Sequence, residues 1–229
     1  MSQLKEHNSL GEAQVKIMLD MQAKMNARVN PNWLHAGYPF LRAVIVEGAE
    51  ALEHHGWKWW KTQEKDMPQL MMEIVDLWHF TLSAYLVWAK GNIDSAASSM
   101  LKGIRAADEY VDFDGEEYDI FSLDTIEKIE LMIGLAASRR ASLKLFGALL
   151  DDCEMDWAEL YRQYVGKNTL NFFRQENGYN AKPSTYRKEW AGREDNVHLV
   201  EIMASIDPGA GNFRDLLYEQ LAVRYAETA

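Results

Sequence analysis

One cysteine in 229 residues, Cys153, leaves no internal disulfide to form. Such a chain suits a reducing compartment, and a cytoplasmic setting is expected. The lone thiol reads as a small side chain in or near the core. Proline is scarce (5) and glycine modest (14), so little interrupts long helices. Basic residues are the minority: 24 Lys and Arg against 35 Asp and Glu give a formal net charge of −11. An acidic chain repels a nucleic acid backbone, which argues against a polymeric DNA or RNA partner. It leaves room for a nucleotide, because divalent cations held by carboxylates can bring in a polyphosphate. Met1 to Asn8 lacks the apolar stretch of a signal peptide. No apolar run reads as long enough to cross a membrane, and no membrane partner is expected.

What the chain does have is apolar residues at three- and four-residue spacing. Hydrophobic residues make up 48% and charged residues 26%. This pattern predicts an all-α helical bundle forming a single domain over residues 1–229. Helices are expected over residues 11–29, 40–55, 67–90, 95–107, 156–173, 196–205 and 212–226. A longer helical stretch over 124–150 has a break near Ser138 to Ser142. Asp66-Met67-Pro68 reads as a helix start and Gly56 as a helix stop. Asp124 and Glu127 have the spacing of a capping box. Asp207-Pro208-Gly209 reads as a turn. The acidic, aromatic stretch from Asp108 to Asp119 reads as a solvated loop, with a mobile lid as the alternative.

Two segments carry most of the functional information. Glu47-Gly48-Ala49-Glu50 and Glu73-Ile74-Val75-Asp76 lie in consecutive helices. Residues three apart share a helix face, so each segment presents two carboxylates side by side. The neighbours are apolar: Val44, Ile45, Val46, Ala51 and Leu52 in one, Met72, Ile74, Val75 and Leu77 in the other. A carboxylate in such a setting is costly unless paired or bound to a metal. One reading is a pair of solvated faces. The other is a four-carboxylate metal site between consecutive helices, with Glu47, Glu50, Glu73 and Asp76 as ligands. Oxygen-only ligands suit Mg²⁺, with Mn²⁺ as the alternative.

Other features point to a ligand less directly. Gln22 and Asn26 share one helix face; spacing alone favours solvated amides over readers of a polar ligand. Trp57-Lys58-Trp59-Trp60-Lys61 either caps the core or offers a wall to a planar ligand. From Arg174 to Asn196 the chain becomes polar and basic. In an acidic protein this loop needs an anionic partner, either internal carboxylates or a ligand phosphate. Carboxylate-held metal, basic loop and aromatic walls together suit metal-assisted hydrolysis of a phosphoanhydride. The metal would lower the pKa of a bound water, a carboxylate would take its proton, and Arg and Lys would neutralise developing charge.

The spacing Glu47-x-x-Glu50 and Glu73-x-x-Asp76 resembles that of the all-α nucleoside triphosphate pyrophosphatases. Further segments resemble one branch, the dimeric dUTPases. They are Met18-Leu19-Asp20-Met21-Gln22 with Asn26, Ala36 to Ala43, Glu50 to Lys61, Asp76-Leu77-Trp78-His79-Phe80, Asn171 to Tyr179, and Glu194-Asp195-Asn196. The resemblance covers about residues 10–90 and 165–205, leaving 91–150 as a variable helical segment.

That resemblance implies more than the residues alone. It implies hydrolysis of dUTP, and of dUDP, to dUMP with Mg²⁺, with attack at the β-phosphorus. It implies a homodimer in which the first helix of one subunit helps bind the base in the other. Glu47, Glu50, Glu73 and Asp76 would hold the metal, with Glu50, assisted by Glu47, orienting the attacking water. Gln22, Asn26, Asn177 and Gly178 would bind the base, with Trp57 or Trp60 beside the ring and His79 near the deoxyribose. Arg174, Tyr186, Lys188, Arg193 and Asn196 would meet the phosphates. One departure stands out: the link from Asn180 to Thr185 is longer than the family's usual spacing, which unsettles the register of Lys182, Tyr186 and Lys188.

Alternatives remain at this stage. A related all-α pyrophosphatase could act on dCTP or other nucleotides. A di-iron carboxylate bundle uses Glu-x-x-His pairs; Asp76-x-x-His79 matches only in part, and no second helix supplies the counterpart. A non-enzymatic bundle would explain the periodicity but not carboxylates among apolar residues.

Overall fold

A computed structural model describes residues 10–106, 108–207 and 212–227. Met1 to Asn8 and most of the turn expected at Asp207-Pro208-Gly209 lie outside these. The chain forms two compact units, up to Tyr161 and from Arg162 onward.

The first unit holds α1 (Glu12–Val29), a 3₁₀ turn (Trp33–His35), α2 (Phe40–His55), α3 (Met67–Trp88), α4 (Ile93–Ile104), the hairpin β1 (Tyr110–Phe113) and β2 (Glu116–Asp119), α5 (Thr125–Ala137) and α6 (Leu143–Asp152). α7 (Trp157–Glu176) carries the chain into the second unit. The helix boundaries follow the local chemistry. Asp66 accepts from the Gln69 N–H to open α3, and Asn92 accepts from Ser95 to open α4. Asp124 and Glu127 complete the expected capping box, each side chain meeting the other's backbone N–H at 2.8 Å. Gly56 ends α2 in the left-handed conformation. The expected break gives α6 its start, where Ser142 caps the N–H of Leu145.

α2 packs against α3 and α5, and α1 against α3 and α4. The core centres on Trp78 of α3, which is fully buried. Its ring lies 5.0 Å from Phe146 and 5.5 Å from Trp157, and its indole N–H points to Met18 Sδ at 3.3 Å. α3 is 22 residues long and, contrary to the sequence expectation, apolar enough by composition to span a membrane. About 67% of its most apolar window is buried inside the fold, which accounts for that composition without a bilayer. Cys153 is fully buried, as expected, and burial raises its thiol to about 11.

The stretch from Asp108 to Asp119 is not a plain loop. It folds as an antiparallel hairpin with Phe113 opposite Glu116. Asp114 and Gly115 both take positive φ at its two-residue turn, the dipeptide that such hairpin turns favour. The acidic content hid this signal, because only Val111 of the hairpin is buried.

The second unit holds the rest of α7, the short pair β3 (Glu189–Trp190) and β4 (Arg193–Glu194), α8 (Asp195–Ser205) and α9 (Phe213–Glu227). The final two helices match expectation, except that Asp195 sits inside α8 and Glu194 is the flanking residue. Aromatic rings fill its core. Tyr186 stacks on Tyr225 at 5.4 Å, and Trp190 stacks on His198 at 5.1 Å.

Candidate metal and nucleotide site

α2 and α3 bring together three of the four expected carboxylates. Glu47, Glu73 and Asp76 each offer an oxygen, and these atoms all lie within 4.8 Å of one another. Glu73 is buried; Glu47 and Asp76 are half-buried. Glu50 is exposed and stands outside this group. Helix geometry explains the difference. A three-residue step leaves side chains about 60° apart around the axis, so with Glu47 turned to α3, Glu50 swings toward solvent. Its charge still reaches Glu47.

The donor set fits a hard cation. Burial pushes the Glu47 carboxyl up to about 7, and the Asp76 charge, a hydrogen bond with Glu73 and the charges of Glu50 and Glu73 push the same way. Crowded carboxylates thus retain a proton where a divalent cation would satisfy all three. Two histidines flank the group. His54 Nε2 lies 3.7 Å from Glu73, and His79 Nδ1 lies 3.8 Å from Asp76. His79 Nδ1 is also 2.8 Å from the Val75 carbonyl. A carbonyl only accepts, so Nδ1 is the protonated nitrogen.

Gln22 and Asn26 overturn the reading from spacing. They are 4% and 8% exposed, not solvated. Gln22 Nε2 donates to Asn26 Oδ1 at 3.1 Å, and Asn26 Nδ2 donates to Ser83 Oγ at 3.0 Å. Ser83 Oγ in turn donates to the His79 carbonyl at 3.1 Å. A buried polar chain therefore links the two α1 amides to the α3 turn that carries His79. Sequence reading missed Ser83. The signal was present, since Asp76, His79 and Ser83 fall on one stripe of a helix.

The tryptophans do not cap the core. Trp59 is 85% and Trp60 57% exposed, packed edge to face with centroids 4.6 Å apart. Trp57 is half-buried and lies 5.2 Å from Trp60. Glu53, one turn after Glu50, holds this segment. It accepts from Trp57 Nε1 at 2.8 Å and from the Lys58 ammonium.

In the second unit the basic loop meets internal carboxylates. Arg174 donates from Nε and Nη2 to both oxygens of Asp195, at 2.7 and 2.8 Å, and to Asn196 and Asn171. The Tyr186 hydroxyl donates to the same Asp195 at 2.8 Å. Asp195 is fully buried. Burial alone would raise its pKa, but Arg174 and Tyr186 overcome this and hold the carboxyl below its ordinary value. Tyr186, buried and beside that carboxylate, is held well above its ordinary value. Arg193 pairs with Glu201 at 2.5 Å, and Lys188 lies 3.9 Å from Glu194, all four exposed at the surface. Asn177 Nδ2 donates to the Phe173 carbonyl. Gly178 has φ +88°, and a Cβ there would lie 1.9 Å from the Thr185 hydroxyl. The long link to Thr185 thus folds back on Gly178, whose carbonyl accepts from the Ala181 and Thr185 N–H groups.

The fold is all-α, and three carboxylates converge from consecutive helices into a group that could hold a divalent cation. The particular family follows from comparison. A dUTPase family model matches residues 14–179, well over half of the chain. The chain belongs to the dUTPase family, in its all-α dimeric branch. It is accordingly a nucleoside triphosphate pyrophosphohydrolase, a dUTP diphosphatase acting on a deoxyuridine nucleotide, in a family that generally uses a divalent metal. The match runs through residues 91–150, which the resemblance left as a variable helical segment, and ends before Tyr186, Lys188, Arg193 and Asn196. No curated protein matches the sequence.

Proposed function

We propose that this dUTP diphosphatase is a cytoplasmic, Mg²⁺-dependent homodimer that also accepts dUDP. The observation that carries the metal reading is the convergence of Glu47, Glu73 and Asp76, where burial and the acidic neighbours push the Glu47 carboxyl up to about 7. A divalent cation bound there supplies charge neutralisation at phosphate oxygens and acidifies a water. Mg²⁺ suits the all-oxygen donor set, with Mn²⁺ as a substitute.

The chain's own residues do the rest. Glu50, exposed and outside the three-carboxylate group, is the base that takes the proton of the attacking water. Gln22 and Asn26 read the base, His79 lies by the sugar, and Trp57 or Trp60 shields the ring. In the second unit we assign phosphate contacts to Lys188 and Arg193. Their present ion pairs are exposed, and such pairs are worth only about 0–1 kcal/mol, so exchange for a phosphate costs little. Arg174 and Tyr186 serve the same unit by holding Asp195, and Asn196 accompanies Arg174. We also assign base contacts to Asn177 and Gly178, which shape the turn after α7.

The test is a panel of dUTP, dUDP, dCTP, dTTP and UTP with Mg²⁺, with products separated by ion-exchange chromatography. Release of dUMP from dUTP and dUDP, with the other three poor, supports the reading. Hydrolysis of dCTP alone, or of dUTP, dCTP and dTTP at equal rates, contradicts it.

A further inference from the structure

We propose that Ser83 is a positioning residue for base selectivity: its hydroxyl fixes which way the Asn26 and Gln22 amides face. The inference rests on the reading of Gln22 as the residue that meets the base.

Ser83 is fully buried on α3. Its Oγ lies 3.1 Å from the His79 carbonyl, one turn back. That carbonyl can only accept, so the single hydroxyl proton is committed to it. The same helix uses this contact elsewhere, from Thr81 Oγ1 to the Leu77 carbonyl at 2.8 Å. With its proton spent, Ser83 Oγ can only accept from Asn26. The Asn26 atom at 3.0 Å is therefore Nδ2, and Oδ1 is the more distant atom at 3.5 Å. Asn26 Oδ1 is then the acceptor facing Gln22, whose Nε2 donates to it at 3.1 Å. The direction of two side-chain amides is thus set by one main-chain carbonyl of α3.

Direction matters because uracil and cytosine differ by an exchange of roles. Uracil presents an acceptor at O4 and a donor at N3–H; cytosine presents a donor at N4 and an acceptor at N3. An amide free to turn over can satisfy either edge. A pinned amide satisfies one and leaves groups unpaired against the other, which a buried site penalises strongly. Removing the Ser83 hydroxyl removes the acceptor that orients Asn26, and with it the fixed Oδ1 to which Gln22 donates.

The experiment measures kcat/KM for dUTP and dCTP, with Mg²⁺, in wild type, Ser83→Ala, Ser83→Thr and Gln22→Ala. Loss of general packing lowers both values together; loss of amide direction lowers their ratio. The expected result for Ser83→Ala is a dUTP-to-dCTP ratio reduced by about tenfold or more, the scale of one unmatched buried polar group. Ser83→Thr keeps the donor to the His79 carbonyl and the wild-type ratio. Gln22→Ala loses the ratio. An unchanged ratio in Ser83→Ala beside a collapsed ratio in Gln22→Ala overturns the role of Ser83 alone. An unchanged ratio in Gln22→Ala overturns the base-reading assignment and this inference with it.

Discussion

A Cβ on Gly48 would lie 2.7 Å from Ile133 Cγ1, so the helix that carries Glu47 meets α5 with its backbone. Gly48 stands between Glu47 and Glu50, and the contact fixes how far α2 can sit from the segment behind it. Gly48→Ala gains about 1 kcal/mol of helix propensity but must displace a β-branched side chain near its root. Overpacking of this kind costs about 1–3 kcal/mol. The expected net result is a lower urea midpoint and weaker Mg²⁺ binding by calorimetry. Ile133→Ala in the same chain should recover the metal affinity. An affinity equal to wild type in Gly48→Ala would show that α5 does not position the carboxylates.

The Glu47 carboxyl gives a pH dependence with a defined sign. Its value rises from 4.5 to about 7 on folding, through burial first and then its acidic neighbours. Between those values the folded chain binds more protons than the unfolded one, so stability falls as pH rises. The contribution is fully present below about 4.5 and lost as pH passes about 7. Urea midpoints of the metal-free protein in EDTA should decline across this window, and Glu47→Gln should flatten the decline. Saturating Mg²⁺ should offset it at the upper end. A midpoint indifferent to both pH and Glu47→Gln would count against a crowded carboxylate cluster.

Arg174 and Arg193 should separate by experiment. Arg174 is bidentate to a fully buried carboxylate, and breaking such a pair costs about 3–5 kcal/mol. Arg174→Ala should therefore lower the thermal midpoint sharply. Arg193 and Glu201 are exposed, so Arg193→Ala should leave the midpoint nearly unchanged while raising KM for dUTP. Because Asp195 is held below its ordinary value, its contribution is present above the ordinary carboxylate range and is lost as pH falls through the lowered value. Calorimetric melting and steady-state kinetics on the two variants decide this. Equal midpoints with equal rises in KM would make Arg174 a phosphate contact rather than a structural one.

The helices were legible because their signals are local. Asp66, Asp124 with Glu127, Gly56 and the apolar stripes act within one or two turns. The carboxylate pairs were legible for the same reason, since spacing on a helix places side chains on faces. What escaped was set by neighbours far along the chain. Glu50 looked equivalent to Glu47 until α3 chose one of them. Gln22 and Asn26 looked like solvated amides because Ser83, which accepts from Asn26, lies 57 residues beyond it. The role of Arg174 stayed open between a ligand phosphate and an internal carboxylate because Asp195, which engages it, reads in sequence as a helix cap. The hairpin after α4 carried its Asp114-Gly115 turn openly, but mostly charged and exposed strands masked the alternation.

The central claim is that Glu47, Glu73 and Asp76 hold the cation on which dUTP hydrolysis depends. Titrating Mg²⁺ into the chelated enzyme with saturating dUTP, beside Glu73→Gln treated identically, tests it most directly. The account predicts no dUMP release before Mg²⁺, saturable release in wild type, and loss of release in Glu73→Gln with its helical circular dichroism intact. Release that persists in EDTA, or wild-type turnover in Glu73→Gln, would contradict it.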